Sequence, residues 1–137
     1  MGAAGNDDLR GENENDVLIG GLGADQLTGG SDRDSFVFTA PTESGIAGNS
    51  DVILDFSKIE SDRIDLSLID AKLDTLKDDA FIWKGAAAFQ EPGELRYFYD
   101  TPNNVTVLEA NMDNNLSVDF QIRLAGNISL EAKDFIL

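Results

Sequence analysis

The chain contains no cysteine and no histidine among its 137 residues. Without thiols there are no disulfide staples, and without imidazole a Ser/His/Asp triad, a Cys/His pair and a histidine zinc motif are all impossible within it. Cations are scarce as well: 10 lysines and arginines face 26 aspartates and glutamates, for a net charge of −16. Such a surface repels phosphate backbones and anionic membranes, so nucleic acid is a poor partner and membrane insertion is not expected. No apolar run approaches the roughly 20 residues of a membrane span. Met1-Gly2 is not followed by the charged and apolar regions of a signal peptide. What remains is 42% hydrophobic residues, enough for one domain with a modest core. An extracellular protein without disulfides needs another stabiliser, and a metal ion is the obvious one. A carboxylate-pair glycosidase is left open by composition, but the acids have another explanation.

That explanation is a repeat. Four nine-residue words run in unbroken register from Gly2 to Arg10, Gly11 to Ile19, Gly20 to Thr28 and Gly29 to Val37. The sixth position is always aspartate (Asp7, Asp16, Asp25, Asp34) and the eighth is large and apolar (Leu9, Leu18, Leu27, Phe36). A flexible Gly/Asp linker would not keep an apolar column in phase. Gly20 to Asp25 lacks the last glycine of a dinucleotide fingerprint, and no lysine follows as a phosphate loop requires. The glycine-rich part of each word permits positive φ and a tight turn, while its last three residues suffice for a short strand. If each word turns the chain by half a circuit, words one and three stack on one side and words two and four on the other. Leu9 and Leu27 then line one sheet and Leu18 and Phe36 the opposite one.

The same stacking sets Asp7 beside Asp25 and Asp16 beside Asp34, about 4.7–4.9 Å apart at ordinary strand spacing. Two carboxylates at that distance repel by roughly 3–4 kcal/mol at an effective dielectric near 20. A cation must sit between them, and an oxygen-only shell selects calcium before magnesium. The word itself resembles the calcium-binding nonapeptide of RTX proteins, a parallel β-roll repeat. That resemblance implies carbonyl ligands from the second and fourth positions of the upper turn and the first and third of the lower. Carried over, one site is Ala3, Gly5, Asp7, Gly20, Leu22 and Asp25, and the other Glu12, Glu14, Asp16, Gly29, Ser31 and Asp34. At least two calcium ions are expected. In the second site Glu14, like Asp32 in the fourth word, stands at a position where glycine is usual because φ exceeds zero, so this site should be strained or weaker. Gly21, Gly23 and Asp25 form an upper half-site whose lower partner must come from downstream.

Beyond Phe38 the pattern changes. Strands are expected over 51–56, 63–66, 80–84, 94–99, 105–110 and 118–124, joined by Pro/Gly/Asn turns, with a helical turn or two over 67–76. The segments Asp51-Val52-Ile53-Leu54-Asp55-Phe56, Asp62-Arg63-Ile64-Asp65-Leu66-Ser67, Gly93-Glu94-Leu95-Arg96-Tyr97 and Asp134-Phe135-Ile136-Leu137 resemble the C-terminal module of serralysin-type secreted metalloproteases and related RTX exoproteins. The expected fold is all-β: repeats over 1–38 forming a parallel β-roll, continuing over 39–137 into an antiparallel, sandwich-like part with one short helix, packed as one domain.

The resemblance also implies a role for the terminus. On pattern alone, an acidic residue followed by three apolar ones, here Asp134, Phe135, Ile136 and Leu137, reads first as a final strand packing into the core; the resemblance instead implies the end of a signal read by a type I secretion apparatus. The repeats are already in phase at the second residue, so earlier repeats and a working domain are expected upstream, in a secreted bacterial hydrolase such as a metalloprotease. The fragment itself is expected to be non-catalytic. Asp55 and Asp62, with Asp65, are candidates for a further calcium site. Asn111, Asp113, Asn115 and Asp119 have the spacing of a calcium loop, but Leu116 replaces its glycine and the final glutamate is missing, so they read as a polar turn. A polysaccharide-binding repeat module is the rival reading, and the net negative charge argues against it.

Overall fold

The computed structural model describes residues 1–137, apart from the side chain of Ala47. The first rungs form as the period demands. Strand β1 (Asp8–Glu12) pairs in parallel with β3 (Gln26–Gly30), setting Leu9 against Leu27. On the other side β2 (Val17–Leu18) pairs in parallel with β4 (Ser35–Val37), setting Leu18 against Phe36.

The roll does not stop at the fourth word. Strand β5 (Asp51–Ile53) stacks on β3 with Ile53 against Leu27. Strand β6 (Arg63–Asp65) stacks on β4 with Ile64 against Phe36. The apolar column is therefore Leu9, Leu27, Ile53 on one side and Leu18, Phe36, Ile64 on the other. Leu27, Phe36, Ile53 and Ile64 are fully buried. At roughly 25 cal/mol per Å² of apolar surface, these side chains contribute about 1.5–3 kcal/mol each to closing the roll.

One sheet then extends sideways. Strand β10 (Phe120–Ala125) pairs in parallel with β5 and antiparallel with β9 (Val105–Asn111), which pairs antiparallel with β8 (Glu94–Asp100). Strand β7 (Ile82–Trp83) closes that side, in parallel with β8. The seven-stranded order is β1-β3-β5-β10-β9-β8-β7. Opposite it, β11 (Phe135–Ile136) completes the order β11-β6-β4-β2. Phe38, Phe120, Leu108, Ile122, Leu124 and Met112 fill the space between the two sheets. An edge-to-face contact between Phe38 and Phe120, centroids 5.7 Å apart, ties the end of the repeats to β10.

The helical turn expected over 67–76 is absent and these residues form turns. The reason is local. Asp70 Oδ1 accepts the amides of both Lys72 and Asp79, and the Ala71 amide donates to Asp79 O, so the segment folds back on itself as a loop. The helical residues are two 3-10 turns, Ala47–Asn49 and Ala132–Asp134.

Candidate metal centre

The repeat aspartates form two ladders. In one, Asp25 Oδ1 accepts the Asp7 amide at 2.8 Å and Asp51 Oδ1 accepts the Asp25 amide at 2.9 Å. In the other, Asp34 Oδ1 accepts the Asp16 amide and Asp62 Oδ1 the Asp34 amide, both at 2.9 Å. One oxygen of each lower carboxylate is thus fixed by the backbone of the rung above. The second oxygen is left over in Asp25, Asp34 and Asp51, whereas Asp62 Oδ2 accepts the Ser57 amide. Among the described residues, Oδ2 of Asp16, Asp25, Asp34 and Asp51 is buried without any hydrogen-bond donor. A fifth buried carboxylate oxygen, Glu94 Oε1, faces Lys84 Nζ at 2.7 Å and is neutralised. Leaving one charged oxygen buried and unpaired costs several kcal/mol, and here the defect repeats with the sequence period.

These oxygens share their space with main-chain carbonyls of the adjacent rung. A Cβ on Gly2 would collide with both Gly20 O and Asp7 Oδ2, and a Cβ on Gly11 with Gly29 O and Asp16 Oδ2. The expected members of the first site are brought together: Leu22 donates its amide to Ala3 O at 3.0 Å, Gly5 donates to Leu22 O at 2.8 Å, and Gly20 O and Asp7 Oδ2 flank the space beside Gly2. Each carbonyl retains a second lone pair. In the second site Ser31 donates to Glu12 O at 2.9 Å, while Gly29 O and Asp16 Oδ2 flank the space beside Gly11. Glu12 and Glu14 both have φ of 78° and Asp32 has 76°, so three non-glycine residues occupy the left-handed region in this turn pair. Each is strained there by about 1 kcal/mol. Among the described residues no three acidic side chains gather as a metal cluster, which fits sites made of two carboxylates and several carbonyls. A hard, oxygen-seeking divalent cation suits this donor set.

Residues 44–51 form the rung below Gly21, Gly23 and Asp25. Gly23 bridges Ser44 in parallel, and Asp51 occupies the ladder position beneath Asp25. Ser44 Oγ accepts the Asp51 amide at 2.8 Å, and buried Glu43 adds a second negative charge nearby. Burial, reinforced by Asp25 and Glu43, pushes the Asp51 carboxyl up to about 7. Burial also raises Asp34 and Asp62, helped for Asp34 by Asp62 and for Asp62 by Glu60. Asp51 was not foreseen as a ladder member. Its signal is the triplet Asp51-Val52-Ile53, aspartate-x-apolar as in each repeat, and Asp62-Arg63-Ile64 repeats it.

Asp55 and Asp62 spend their oxygens on amides. Asp55 accepts Gly29 at 2.9 Å and Gly30 at 2.8 Å, one with each oxygen. Asp62 accepts Asp34 and, through Oδ2, Ser57 at 2.8 Å. Asp65 accepts the amide and hydroxyl of Ser67. The loop at 111–119 is a chain of side-chain-capped turns, in which Asn111 accepts Asp113, Asp113 accepts Asn115 and Asn115 accepts Ser117. At the terminus Asp134 and Phe135 are buried, Ile136 is 43% exposed and Leu137 packs partly against the core.

The family model described as peptidase M10 serralysin C terminal matches residues 3–137. This chain belongs to the serralysin C-terminal family. Serralysin A of Dickeya chrysanthemi is 38% identical over 103 residues, and serralysin C of the same organism 37% over 103 residues, each match covering 75% of this chain. The match spans only 20% of the length of these relatives. The fold is also that of the AlgE6R3 subunit of the Azotobacter vinelandii mannuronan C5-epimerase, with a TM-score of 0.65 at 23% identity over 99% of this chain and 80% of that one. The AlgE6R2 subunit gives 0.63 at 23% identity, over 98% of this chain and 89% of its own. No helix among the described residues is long and apolar enough to cross a membrane.

Proposed function

We propose that this serralysin C-terminal module is the calcium-dependent folding and export segment of a larger secreted bacterial protein. The observation that carries this reading is the row of buried Oδ2 atoms with no donor, recurring rung by rung. One calcium would be held by Ala3, Gly5, Asp7, Gly20, Leu22 and Asp25, and a second by Glu12, Glu14, Asp16, Gly29, Ser31 and Asp34. A third would lie between the Gly21, Gly23 and Asp25 half-site and Asp51. A bound divalent cation supplies the positive charge that stacked carboxylates lack. The chain's own share is preorganisation, because amides clamp Oδ1 of Asp25, Asp34 and Asp51 and so hold the other oxygen toward the turn. In this reading Asp55 and Asp62 are amide acceptors that hold the rungs together.

Ligands that bind only the folded state stabilise it by RT ln(1 + [L]/Kd) per site, with Kd near 10⁻⁴–10⁻³ M for extracellular calcium modules. In calcium-poor cytosol the stacked acids repel and the chain stays open for transport. Outside, the same residues close the roll. Asp134, Phe135, Ile136 and Leu137 are the end of a type I secretion signal, and the parent is a secreted hydrolase of the metalloprotease kind. Circular dichroism tests the core of this reading: the β signal of the roll is lost in excess chelator, returns cooperatively with calcium, and returns poorly with magnesium. A spectrum unchanged by chelator overturns it.

A further inference from the structure

The terminal residues are tied to the roll by an identifiable chain of contacts. Asp62, the lowest rung of one aspartate ladder, accepts the Asp34 amide with one oxygen and the Ser57 amide with the other, which closes the 57–62 turn. The next residue in that turn, Lys58, reaches across to the C-terminal segment. Its Nζ donates to Ser129 O at 2.5 Å and to Glu131 Oε2 at 2.9 Å, and lies 3.4 Å from Asp134 Oδ2. Asp134 is 2% exposed and closes a reciprocal cap with Glu131, so it cannot leave without breaking the 3-10 turn before β11.

The strand that follows is zipped to the same rung. Phe135 pairs with Ile64 and Ile136 with Asp65, and the Leu66 amide donates to Ile136 O at 2.9 Å. Phe135 is 7% exposed and packs on Trp83 with centroids 4.7 Å apart, while Trp83 stacks on Tyr97 at 5.6 Å. β11 is two residues long and has no partner strand other than β6 among the described residues. So short a strand is not stable by itself. Its neighbours are β6, Lys58 through Asp134, and Trp83 through Phe135.

We propose that the module carries a latch on its own C-terminus: closure of the roll seats Asp134–Leu137 through Lys58, β6 and Trp83, so that the terminal signal is presented by the unfolded chain and withdrawn by the folded one. This rests on the reading of those residues as an export signal, and it adds a regulation to them. Export then becomes one-way, because a molecule whose rungs have closed no longer offers the residues by which the exporter would engage it again. Lys58 is a positioning residue in this scheme. It lies outside the calcium ligands and joins their ladder to the tail.

The test uses the full chain and reads the tail without reference to export. Hydrogen exchange of the 135–137 amides and release of terminal residues by a carboxypeptidase are followed in excess calcium and in excess chelator, with calcium uptake measured by calorimetry on the same samples. In calcium the tail is protected; in chelator exchange and release accelerate roughly tenfold or more. Lys58→Met in calcium keeps wild-type calcium uptake and circular dichroism but frees the tail by a comparable factor, and Lys58→Arg restores protection. Trp83→Leu supplies an independent release from the apolar side. Normal calcium uptake with equal tail exchange in calcium and chelator overturns the latch, as does a Lys58→Met tail that stays protected. Absent calcium uptake overturns the proposed function instead.

Discussion

Replacing Asp25 by alanine should cost stability in the presence of calcium and none in its absence. Asp25 is 1% exposed, accepts the Asp7 amide, donates its own amide to Asp51 and keeps Oδ2 unpartnered. In the proposed scheme it serves the site shared with Asp7 and the site completed by Asp51. At 10 mM free calcium and a Kd of about 0.1–1 mM, each site contributes about 1.4–2.7 kcal/mol. Losing both, plus about 1 kcal/mol for the amide hydrogen bond, gives roughly 4–6 kcal/mol, comparable to the whole stability of a small domain. Asp16 serves one strained site, so Asp16→Ala should cost about 1.4–2.7 kcal/mol. In chelator the balance reverses, because Asp25→Ala removes a buried, unneutralised charge at the expense of one hydrogen bond, leaving stability unchanged or higher. Urea titrations followed by circular dichroism in calcium, osmolyte-induced folding followed the same way in chelator, and calorimetric site counts measure this directly. An equal loss with and without calcium would make Asp25 a packing residue only, and a larger loss for Asp16→Ala would refute the stacking register.

The raised carboxyls make a second prediction about pH in chelator. Asp51 is pushed up to about 7, with Asp34 and Asp62 raised as well, so above about pH 5, where the lowered Glu131, Glu94 and Asp8 are ionised folded or unfolded, the folded chain binds more protons than the unfolded one. The metal-free fold should therefore lose stability as pH rises from about 5 toward 7; osmolyte-induced folding in chelator that becomes easier over this interval would contradict it. Glu14→Gly keeps the carbonyl and relieves a left-handed side chain, so it should raise stability by about 0.5–1 kcal/mol and tighten the second site in calcium titrations. Deleting Asp134–Leu137 should abolish transport of a fused passenger through a matching type I exporter, while Asp7→Ala permits transport and impairs folding outside. Normal secretion of the deletion variant would reduce the terminus to packing.

The half-circuit stacking, the pairing of Leu9 with Leu27 and of Leu18 with Phe36, and the strain at Glu14 and Asp32 were all legible in the repeat, because period and residue type act locally. The continuation of the ladder into Asp51 and Asp62 was less visible. There the aspartate-x-apolar triplet persists, but Pro/Gly/Ser-containing and charged loops of irregular length separate its copies, so a fixed period cannot find it. The helical turn or two expected over 67–76 has no 3.6-residue apolar stripe behind it, and Asp70 instead folds the segment around Lys72 and Asp79. Lys58 could not have been found from sequence, since its three acceptors lie 71 or more residues away or are set by the 3-10 turn at the end of the chain.

The unequal spacing of the ladder also orders the folding reaction. Consecutive rungs are separated by 18 residues from Asp7 to Asp25 and by 26 from Asp25 to Asp51. By loop-closure entropy the longer step costs only about 0.3 kcal/mol more, so the irregular loops impose little kinetic penalty and can accept further length. Lys58 to Glu131 spans 73 residues, and that closure costs about 1.2 kcal/mol more than a repeat rung. High sequence separation delays a contact until its surroundings are built. The repeats should form early, the β8-β9-β10 meander independently through its local pairings, and the docking of β11 last, so that occupancy of the tail site marks completion of the fold.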